Sequence, residues 1–274
     1  MKGKKNMAIK STPIAELKDA FNVKGKNVVV TGGNRGIGRG IVQAFAEGGA
    51  NVAILCRDVE SGKKAVAEIE KLGGKYKAIR CDIASYDEVK AAAAEVFKFF
   101  PNVDVLVNNS GVASTTPFLS ENGLNEWLRV VNTNLHGTAF VIYEIAPKMV
   151  EAGKGGSIIN ITSIGAHRVS SARTHPNAPY HASKAGLDIF SRHLAIVLGD
   201  HGIRVNTICP GNFHSDLDKD LPQSSIDRVE KDLPMHRFGE PIEIGTLCVY
   251  MASPAGAMCA GVNWALDGGA MCVR

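Results

Sequence analysis

The sequence predicts an α/β fold in which a doubly wound parallel sheet of about seven strands carries helices on both faces. Short β-branched runs alternate with longer helical patterns along the 274 residues. Several of the short runs, such as Val28-Val29-Val30 and Val105-Leu106-Val107, are apolar at every position. A strand that is buried on both faces of a parallel sheet has this pattern, whereas a half-exposed strand alternates. Strands that alternate with helices imply right-handed crossover connections.

The elements can be placed in chain order. Strands are predicted at residues 27–31, 51–56, 76–81, 103–107, 157–161, 203–208 and 262–266. Helices are predicted at residues 36–48, 59–72, 86–100, 124–152, 180–199 and 241–251, and the pairs Gly48-Gly49 and Gly73-Gly74 supply stop signals. We expect one domain over residues 24–274, preceded by an N-terminal extension over residues 1–23 that is partly disordered.

Composition excludes several classes of protein. Hydrophobic residues make up 45% and charged residues 21% of the chain, which is ordinary globular usage. The net charge of +4 arises largely from lysines near the N-terminus and is too small to indicate a nucleic-acid partner. No apolar run is long enough for a membrane span, and the basic N-terminus lacks the apolar core of a signal peptide. We expect a cytoplasmic protein.

The six cysteines form no CxxC pair, and no cluster of His and Cys has zinc-ligand spacing. Most of them lie in apolar runs, where a buried free thiol is the usual interpretation. Reduced thiols agree with the cytosol, and no metal site is predicted.

A glycine-rich turn follows the first predicted strand directly. Gly32, Gly36 and Gly38 form a GxxxGxG pattern in the stretch Gly32-Gly33-Asn34-Arg35-Gly36-Ile37-Gly38. Glycine allows the backbone to approach a pyrophosphate closely, and the helix that begins there offers unpaired N–H groups to it. Because the turn opens a series of strand–helix–strand units, it predicts a dinucleotide site.

The end of the second strand indicates which dinucleotide is bound. An acidic residue at this place accepts bonds from a free ribose 2′-hydroxyl, whereas arginine accommodates a 2′-phosphate. Here Arg57 follows the strand, and Arg35 lies in the glycine turn. Two guanidinium groups can hold a phosphate with charge-assisted bonds, so we expect NADP(H). Asp58 leaves an alternative, since a small backbone shift would bring its carboxylate to the ribose.

A second set of residues indicates acid/base chemistry. Tyr180 and Lys184 are spaced i, i+4 at the start of a helical pattern and therefore share one face. An ammonium close to a phenol favours the phenolate and lowers the tyrosine pKa. Ser163 follows the strand at 157–161, where its hydroxyl can hold a substrate oxygen. The order of glycine turn, strand-end serine and Tyr-xxx-Lys gives weight to motifs that are weak singly.

Over residues 24–270 the chain resembles the short-chain dehydrogenase/reductase family in its single-domain, Rossmann-like form. The matching stretches are Thr31-Gly32-Gly33-Asn34-Arg35-Gly36-Ile37-Gly38, Asn108-Asn109-Ser110-Gly111, Asn134-Leu135-His136-Gly137, Ser163, Tyr180-His181-Ala182-Ser183-Lys184, Pro210-Gly211 and Asp267-Gly268-Gly269. The resemblance implies that Tyr180 donates or removes the proton and that Ser163 orients the carbonyl. It also implies that Lys184 binds the nicotinamide ribose and that Asn134 holds a water in a proton relay.

The resemblance extends to the cofactor contacts and to assembly. The cofactor residues that it implies, together with the two arginines, are Gly32, Asn34, Arg35, Gly36, Ile37, Gly38, Arg57, Asp82, Ile83, Asn108, Ser110, Gly111, Tyr180, Lys184, Pro210, Gly211, Phe213 and Ser215. Asp82 and Ile83 would border the adenine, and Pro210 to Phe213 the nicotinamide. It also implies a homo-oligomer, a tetramer or dimer, with the helices at 124–152 and 180–199 at one interface.

The chain departs from the family pattern at a few positions. Ser110 stands where alanine is usual, and Phe213 and Ser215 replace a β-branched residue and a threonine. The interval from Ser163 to Tyr180 is longer than usual, and the extra segment contains Arg168, Arg173 and His175. This segment forms either part of the pocket wall or a solvated loop. The region 212–237 has the composition of a mobile lid.

The expected reaction is the interconversion of a ketone or aldehyde and an alcohol on a small molecule. Sugars and polyols, 3-oxoacyl thioesters, and hydroxysteroids including bile acids are all open as substrates, since a fold does not choose among them. Three alternatives are a sugar-nucleotide epimerase or dehydratase, an enoyl reductase, and a catalytically silent NADP(H)-binding regulator. The glycine spacing disfavours the first, the Tyr–Lys spacing the second, and the intact Ser163, Tyr180 and Lys184 the third.

Overall fold

The computed structural model describes residues 14, 16–169, 176–215 and 223–273. Its strands are β1 (Asn27–Thr31), β2 (Asn51–Cys56), β3 (Tyr76–Arg80), β4 (Val105–Asn108), β5 (Gly156–Ile161), β6 (Ile203–Pro210) and β7 (Asn263–Leu266). Over the described ranges these seven strands form one parallel sheet in the order β3-β2-β1-β4-β5-β6-β7. The order reverses between β1 and β4, which is where ligands bind in open sheets of this kind.

The helices cover both faces of the sheet. They are α1 (Leu17–Ala20), α2 (Gly36–Glu47), α3 (Val59–Ile69), α4 (Tyr86–Phe99), α5 (Gly123–Val131), α6 (Thr138–Ala152), α7 (Ala178–Gly199), α8 (Gln223–Asp232) and α9 (Pro241–Ala252). One apolar cluster joins the sheet to α2, α3 and α9, and a second joins it to α4, α6 and α7. Val28 and Val30 belong to the first cluster and Val29 to the second. Neighbouring side chains of β1 thus face opposite buried layers, which is why the strand is apolar at every position.

The predicted strands and most of the predicted helices are confirmed to within a few residues. The exception is residues 124–152, for which one helix was expected. The structure has α5, then a π-helical turn over Asn132–Gly137, then α6. A π turn shifts the hydrogen-bond pattern without leaving a periodicity that sequence analysis can detect, and such turns are frequent at functional sites.

The segments outside the predicted elements contain further structure. α8 lies in the segment expected to act as a lid, and none of its residues is buried. The N-terminal extension falls mostly outside the described residues, apart from the single turn of α1. None of the helices in the described part of the chain has both the length and the apolar character that crossing a bilayer requires.

α2 and α9 pack backbone against backbone through two glycines. A Cβ at Gly40 would lie 2.3 Å from the carbonyl carbon of Pro241, and a Cβ at Gly245 would lie 2.5 Å from the carbonyl oxygen of Gly40. Such separations are too short for a side chain. The two helices can therefore approach this closely only because both positions lack a Cβ, and the contact places α9 beneath the glycine turn that begins α2.

Replacing Gly40 with alanine should push these helices apart. We expect Gly40→Ala to lower the free energy of unfolding by about 1–3 kcal/mol, the usual cost of overpacking. Gly199→Ala is the matched control, because a Cβ there meets no atom within 4 Å. Since alanine is the better helix former by roughly 1 kcal/mol, the control should be neutral or slightly stabilising. Urea denaturation of both variants makes the comparison, and equal stabilities would contradict the close packing.

Candidate active site

The glycine turn after β1 is closed by its own backbone. The N–H of Gly32 donates to the carbonyl of Leu55 over 2.7 Å, and Gly32 and Gly36 have φ values of +66° and +48°. A Cβ at Gly38 would lie 2.1 Å from the carbonyl oxygen of Gly32. Arg35, the residue that precedes α2, provides no side-chain cap for the helix. The first N–H groups of α2 thus lack a side-chain cap and are available to a pyrophosphate.

The loop after β4 is bound to the glycine turn. The hydroxyl oxygen of Thr31 accepts hydrogen bonds from the backbone N–H groups of Asn109 and Ser110, both over 3.0 Å. The Asn109 amide donates in return to the carbonyls of Thr31, at 3.1 Å, and Gly32, at 3.2 Å. These bonds hold Asn108 to Gly111 beside the glycine turn. Ser110 also lies close to Gly32, because a Cβ added to Gly32 would be 2.9 Å from the Ser110 hydroxyl oxygen.

Arg57 and Asp58 directly follow β2, Arg35 lies in the glycine turn after β1, and all three side chains are exposed. The Asp58 carboxylate accepts a hydrogen bond from the Ser61 N–H over 3.1 Å and thereby caps α3. The Asn34 amide donates to the Ser61 hydroxyl over 3.1 Å, so the glycine turn also contacts the start of this helix. Within the described ranges the two guanidinium groups have neither an ion pair nor a hydrogen bond. The carboxylate is engaged locally, while both arginines are available to an anion.

Asp82 and Ile83 follow β3. The Asp82 carboxylate accepts a hydrogen bond from the N–H of Ala84 over 3.0 Å, while its own N–H donates to Glu88 over 2.9 Å. Ile83 is buried, and a Cβ at Gly137 would lie 2.6 Å from its carbonyl oxygen. The π-helical turn therefore packs directly against the end of β3.

The predicted acid/base residues converge at the carboxyl end of β5. Ser163 caps the 3-10 turn Ile164–Ala166 by accepting a hydrogen bond from the Gly165 N–H over 3.0 Å, and its hydroxyl is near enough to Tyr180 to lower the pKa of the phenol. The Lys184 ammonium donates to the carbonyl of Ile161 over 2.8 Å and lies 5.6 Å from the centroid of the Tyr180 ring. Helix α7 thus places its Tyr and Lys on the face that meets Ser163.

The pKa values correct one expectation. Burial raises the pKa of Tyr180, and the hydrogen bond from Ser163 opposes the rise only partly. Burial also lowers the pKa of Lys184 to about 8. A lowering of the tyrosine pKa by Lys184 was expected, but burial is the largest cause of the shift and raises the pKa, while the Lys184 ammonium is directed to the Ile161 carbonyl. The phenol of Tyr180 therefore stays protonated at neutral pH.

Asn134 lies in the π-helical turn and is fully buried. Its amide oxygen accepts a hydrogen bond from the Val112 N–H over 2.8 Å, and its NH2 group donates to the carbonyl of Val112 over 2.9 Å and to the hydroxyl of Ser183 over 3.0 Å. A Cβ at Gly111 would be 3.4 Å from the amide oxygen and 3.3 Å from the Lys184 nitrogen. Asn134 and Lys184 therefore lie close together on the side of Gly111 where a Cβ would stand. Both N–H groups of the Asn134 amide already donate hydrogen bonds within the protein.

The end of β6 forms the opposite side of the site. Pro210 is buried, and the Gly211 N–H donates to the carbonyl of Leu266 over 3.0 Å. Phe213 is buried as well, with its ring packed on Gly239, where a Cβ would be 2.3 Å from the ring. Ser215 lies over the glycine turn, since a Cβ at Gly36 would be 3.7 Å from its Cβ.

The extra segment before Tyr180 is described in part. The Arg168 guanidinium donates a hydrogen bond to the carbonyl of Ala270, which attaches this part of the segment to the C-terminal turn. Arg173 and His175 lie outside the described residues. Within the described ranges, Arg168 thus contacts the backbone of the chain itself.

A polar cluster beneath Tyr180 and Lys184, buried except at His167 and Asn263, was missed by the sequence analysis. It comprises Thr162, His167, Asp188, Thr207, Cys209 and Asn263. The available signal was weak: Asp188 follows Lys184 by four residues and so shares its helical face, where an acidic residue is unusual in an inward-facing position. The strands that supply the other members are not predictable as neighbours of one another from local sequence.

Comparison with known proteins agrees with this geometry. A family model described as enoyl-(acyl carrier protein) reductase matches residues 32–271. The 3-oxoacyl-(acyl-carrier-protein) reductase of Chlamydia muridarum is 36% identical over 245 residues, which cover 89% of this chain and 96% of that protein. The L-rhamnose 1-dehydrogenase (NAD(P)(+)) of a Sphingomonas species is 34% identical over 250 residues, covering 90% of this chain and 96% of that protein.

A solved structure extends the likeness to the whole fold. The crystal structure of a short-chain type dehydrogenase/reductase from Mycobacterium marinum matches with a TM-score of 0.87 at 31% identity, covering 94% of this chain and 100% of that one. The fold, the strand-end motifs and these relatives agree. The chain belongs to the short-chain dehydrogenase/reductase family, whose members are oxidoreductases that use a nicotinamide cofactor on alcohol and carbonyl substrates.

Proposed function

We propose that the protein is an NADP(H)-dependent oxidoreductase that interconverts a ketone or aldehyde and an alcohol on a small molecule, with Tyr180 as its acid/base group. The observation that carries the proposal is the convergence of Ser163, Tyr180 and Lys184 at the end of β5, where the Lys184 ammonium lies 5.6 Å from the centroid of the tyrosine ring and the Ser163 hydroxyl is near enough to lower the Tyr180 pKa. This constellation stands at the same sheet edge as a turn that can receive a pyrophosphate.

The residues of this edge fit a nicotinamide dinucleotide. Those assigned to it are Gly32, Asn34, Arg35, Gly36, Ile37, Gly38, Arg57, Asp82, Ile83, Asn108, Ser110, Gly111, Tyr180, Lys184, Pro210, Gly211, Phe213 and Ser215. When bound, the nicotinamide gives or accepts the hydride. The preference for a 2′-phosphate is supported by the state of the side chains after β2: Asp58 caps α3, whereas Arg35 and Arg57 are exposed.

In the reductive direction a proton must reach the carbonyl oxygen while the carbonyl carbon is reduced. The Tyr180 hydroxyl donates this proton, and its raised pKa keeps the proton in place until negative charge develops on the substrate oxygen. The Ser163 hydroxyl donates a hydrogen bond to the same oxygen and stabilises that charge. The Lys184 ammonium would hold the ribose of a bound cofactor and would stabilise the tyrosinate once the transfer has formed it, and Asn134 would support the water through which the proton is replaced.

The substrate is one of three chemical classes: a sugar or polyol, a 3-oxoacyl thioester, or a hydroxysteroid such as a bile acid. The relatives include an L-rhamnose dehydrogenase and a 3-oxoacyl carrier-protein reductase, and a solved 7α-hydroxysteroid dehydrogenase in complex with NADH and 7-oxo glycochenodeoxycholic acid is 32% identical, so similarity alone does not choose among the three classes. Turnover of a panel with one ketone of each class, together with an enoyl thioester, separates carbonyl from enoyl reduction. A catalytically silent NADP(H)-binding regulator would turn over none of them.

We further propose that the enzyme is a homo-oligomer, a tetramer or a dimer, built on the outer faces of α5 to α7. An open apolar depression there is lined by Tyr86, Ala139, Phe140, Ile142, Tyr143, Phe190 and Leu194. Tyr143 is 67% exposed and Ile196 is 79% exposed on the same helices. An apolar surface of this kind is unusual on a monomer, and a second copy of the chain is the partner that the family resemblance favours.

The role of Tyr180 can be tested by deleting its hydroxyl alone. Tyr180→Phe keeps the ring, so folding and NADPH affinity should survive, whereas kcat should fall by at least about 10², as is typical for general acid/base groups. Tyr76→Phe is the matched control, because Tyr76 begins β3 and, within the described part of the chain, its hydroxyl accepts a hydrogen bond only from the nearby Gly74 N–H, over 3.2 Å. The decisive measurement is kcat at saturating NADPH beside the NADPH dissociation constant. Near-normal turnover by the folded, saturated variant would refute the mechanism.

The cofactor preference depends on Arg57. Arg57→Ala should raise the KM for NADPH at least about tenfold, since a charge-assisted hydrogen bond contributes about 1.5–3 kcal/mol, and NADH kinetics should hardly change. Arg80→Ala is the control: it removes the same charge from the next strand end, where the guanidinium is paired with Glu88 over 2.6 Å. Steady-state kinetics with both cofactors decide the matter. Equal efficiency of the wild type with NADH and NADPH would show that no 2′-phosphate site exists.

Replacing Lys184 should increase the stability of the cofactor-free protein and abolish its function. Below pH 8 the buried ammonium is less favourable in the fold than in the unfolded chain, because burial lowers its pKa from 10.5 to about 8. Lys184→Met should therefore stabilise the cofactor-free protein at pH 7, by up to about 3 kcal/mol, while it loses turnover and NADPH affinity. The wild type recovers stability as pH rises from 8 towards 10.5, so the advantage of the variant should shrink over that range.

Denaturation with urea at pH 7 and pH 10 measures this effect. Lys148→Met is the control, because that lysine is exposed on α6 and pairs with Glu151 over 2.8 Å. Its stability relative to the wild type should be nearly the same at both pH values. A Lys184→Met variant that is less stable than the wild type at pH 7 would mean that the ammonium is well compensated in the fold.

A further inference from the structure

We propose that Asp188 is a positioning residue for the reaction: through Asn263 and His167 it holds the turn that carries Ser163 in place against Tyr180. The inference rests on the proposed function, because it assigns Asp188 to the geometry of the Ser163–Tyr180 pair. The carboxylate itself contacts neither of these residues, so its effect would be exerted through the polar cluster beneath them.

Asp188 lies on α7, one helical turn beyond Lys184 and two beyond Tyr180, and is only 5% exposed. Its carboxylate accepts hydrogen bonds from the Thr207 hydroxyl, at 2.8 Å, and from the Arg192 guanidinium, also at 2.8 Å. A further donor is the Asn263 amide. A buried carboxylate needs several donors to be stable, and here they come from β6, α7 and β7. Asp188 thus joins the catalytic helix to two strands of the sheet.

Asn263 connects Asp188 to the turn that follows Ser163. One N–H of its amide donates to Asp188, the other donates to Nε2 of His167 over 2.9 Å, and its oxygen accepts from the Cys209 thiol over 2.9 Å. All three bonds fix the orientation of the amide, because a flipped amide would set its oxygen against the carboxylate. His167 follows directly after the turn Ile164–Ala166 that Ser163 caps. The orientation of Asp188 is thereby transmitted to the Ser163 turn.

A second contact joins the same turn to the same helix. The ring of His181 bonds through Nδ1 to the carbonyl of Gly165 over 2.7 Å, and His181 follows Tyr180 in the chain. A Cβ at Gly165 would be 2.6 Å from this nitrogen, so the contact is close. α7 thus holds the Ser163 turn at two points, His181 near the catalytic tyrosine and Asp188 two turns further along. Two points define the distance and the angle at which Ser163 meets Tyr180.

The cluster contains a cysteine, a histidine and an aspartate, yet its geometry argues against a nucleophilic role. Cys209 Sγ lies 3.7 Å from His167 Nε2, and the Asp188 carboxylate lies 3.9 Å from the same nitrogen. A histidine that relays a proton needs its two partners on different ring nitrogens. The thiol is also completely buried, and burial raises its pKa. Positioning is the role that this arrangement can perform.

The test compares Asp188→Asn, His167→Ala and the double variant. Asparagine keeps the size of Asp188 but removes its charge and replaces one of the two oxygens that accept from Thr207, Arg192 and Asn263 with an NH2 group. Because small misplacements of reacting groups are costly, kcat should fall by at least about tenfold in each single variant, with the NADPH dissociation constant unchanged. If both residues act through one connection, the double variant should be no slower than the slower single variant.

Two further variants separate positioning from general stability. His167→Gln supplies a side-chain oxygen that can accept from the Asn263 amide, so it should recover a large part of the kcat lost in His167→Ala. Asp104→Asn is the matched control at the opposite edge of the sheet, where Asp104 accepts bonds from the Asn27 N–H and the Asn102 amide, both over 2.8 Å. It should lower the melting temperature and leave kcat unchanged.

The outcomes distinguish this inference from the proposed function. Wild-type kcat in folded Asp188→Asn, or effects of Asp188→Asn and His167→Ala that simply add, would overturn the positioning role. If Asp188→Asn does not fold, the comparison of His167→Ala with His167→Gln tests the positioning role by itself. The His167 side chain is 35% exposed and therefore tolerates substitution better than Asp188. If Tyr180→Phe is inactive while His167→Ala is fully active, the proposed mechanism stands and only the positioning role of Asp188 is refuted. If Tyr180→Phe is active, the proposed function itself is refuted.

Discussion

A polar group buried near the sheet is costly unless it finds a partner within the protein, because helices cover both faces and exclude water. Among the buried side-chain groups of the described residues, only the Asn108 amide oxygen and the Trp264 indole N–H lack one. The bond from the Lys184 ammonium to the Ile161 carbonyl is the clearest result of this constraint. It fixes α7 against the end of β5 and thereby sets where Tyr180 can stand. The desolvation that makes the bond necessary also lowers the lysine pKa and raises that of the tyrosine.

The same constraint organises the two loops that would receive the cofactor. The Thr31 hydroxyl accepts hydrogen bonds from two backbone N–H groups of the loop after β4. The Asn109 amide donates two hydrogen bonds to the backbone carbonyls of Thr31 and Gly32. Two side chains, Thr31 and Asn109, thus satisfy polar backbone groups of both loops. The first N–H groups of α2 receive no side-chain cap, so they stay available to a pyrophosphate.

The π-helical turn gives a third example. One continuous helix over residues 124–152 would satisfy the local hydrophobic pattern, but Asn134 instead bonds to both backbone groups of Val112 and to Ser183. The turn also brings Gly137 against the backbone of Ile83. A local irregularity of the helix is stabilised by long-range bonds at the site, so it belongs to the functional geometry.

The sequence by itself determined the fold class, the strand positions and the order of the motifs, because each depends on local periodicity, glycine placement and turn signals. It also identified Ser163, Tyr180 and Lys184 as neighbours, since strand ends of a parallel sheet share one edge. Only the tertiary structure decided that Asp58 caps α3, that Phe213 packs inward on Gly239, and that burial governs the tyrosine pKa. It alone assembled the cluster around Asp188, because His167, Thr207 and Asn263 are far apart in the chain and meet only when β5, β6 and β7 align. Desolvation and long-range hydrogen bonds depend on which distant segments become neighbours, and no local pattern encodes that.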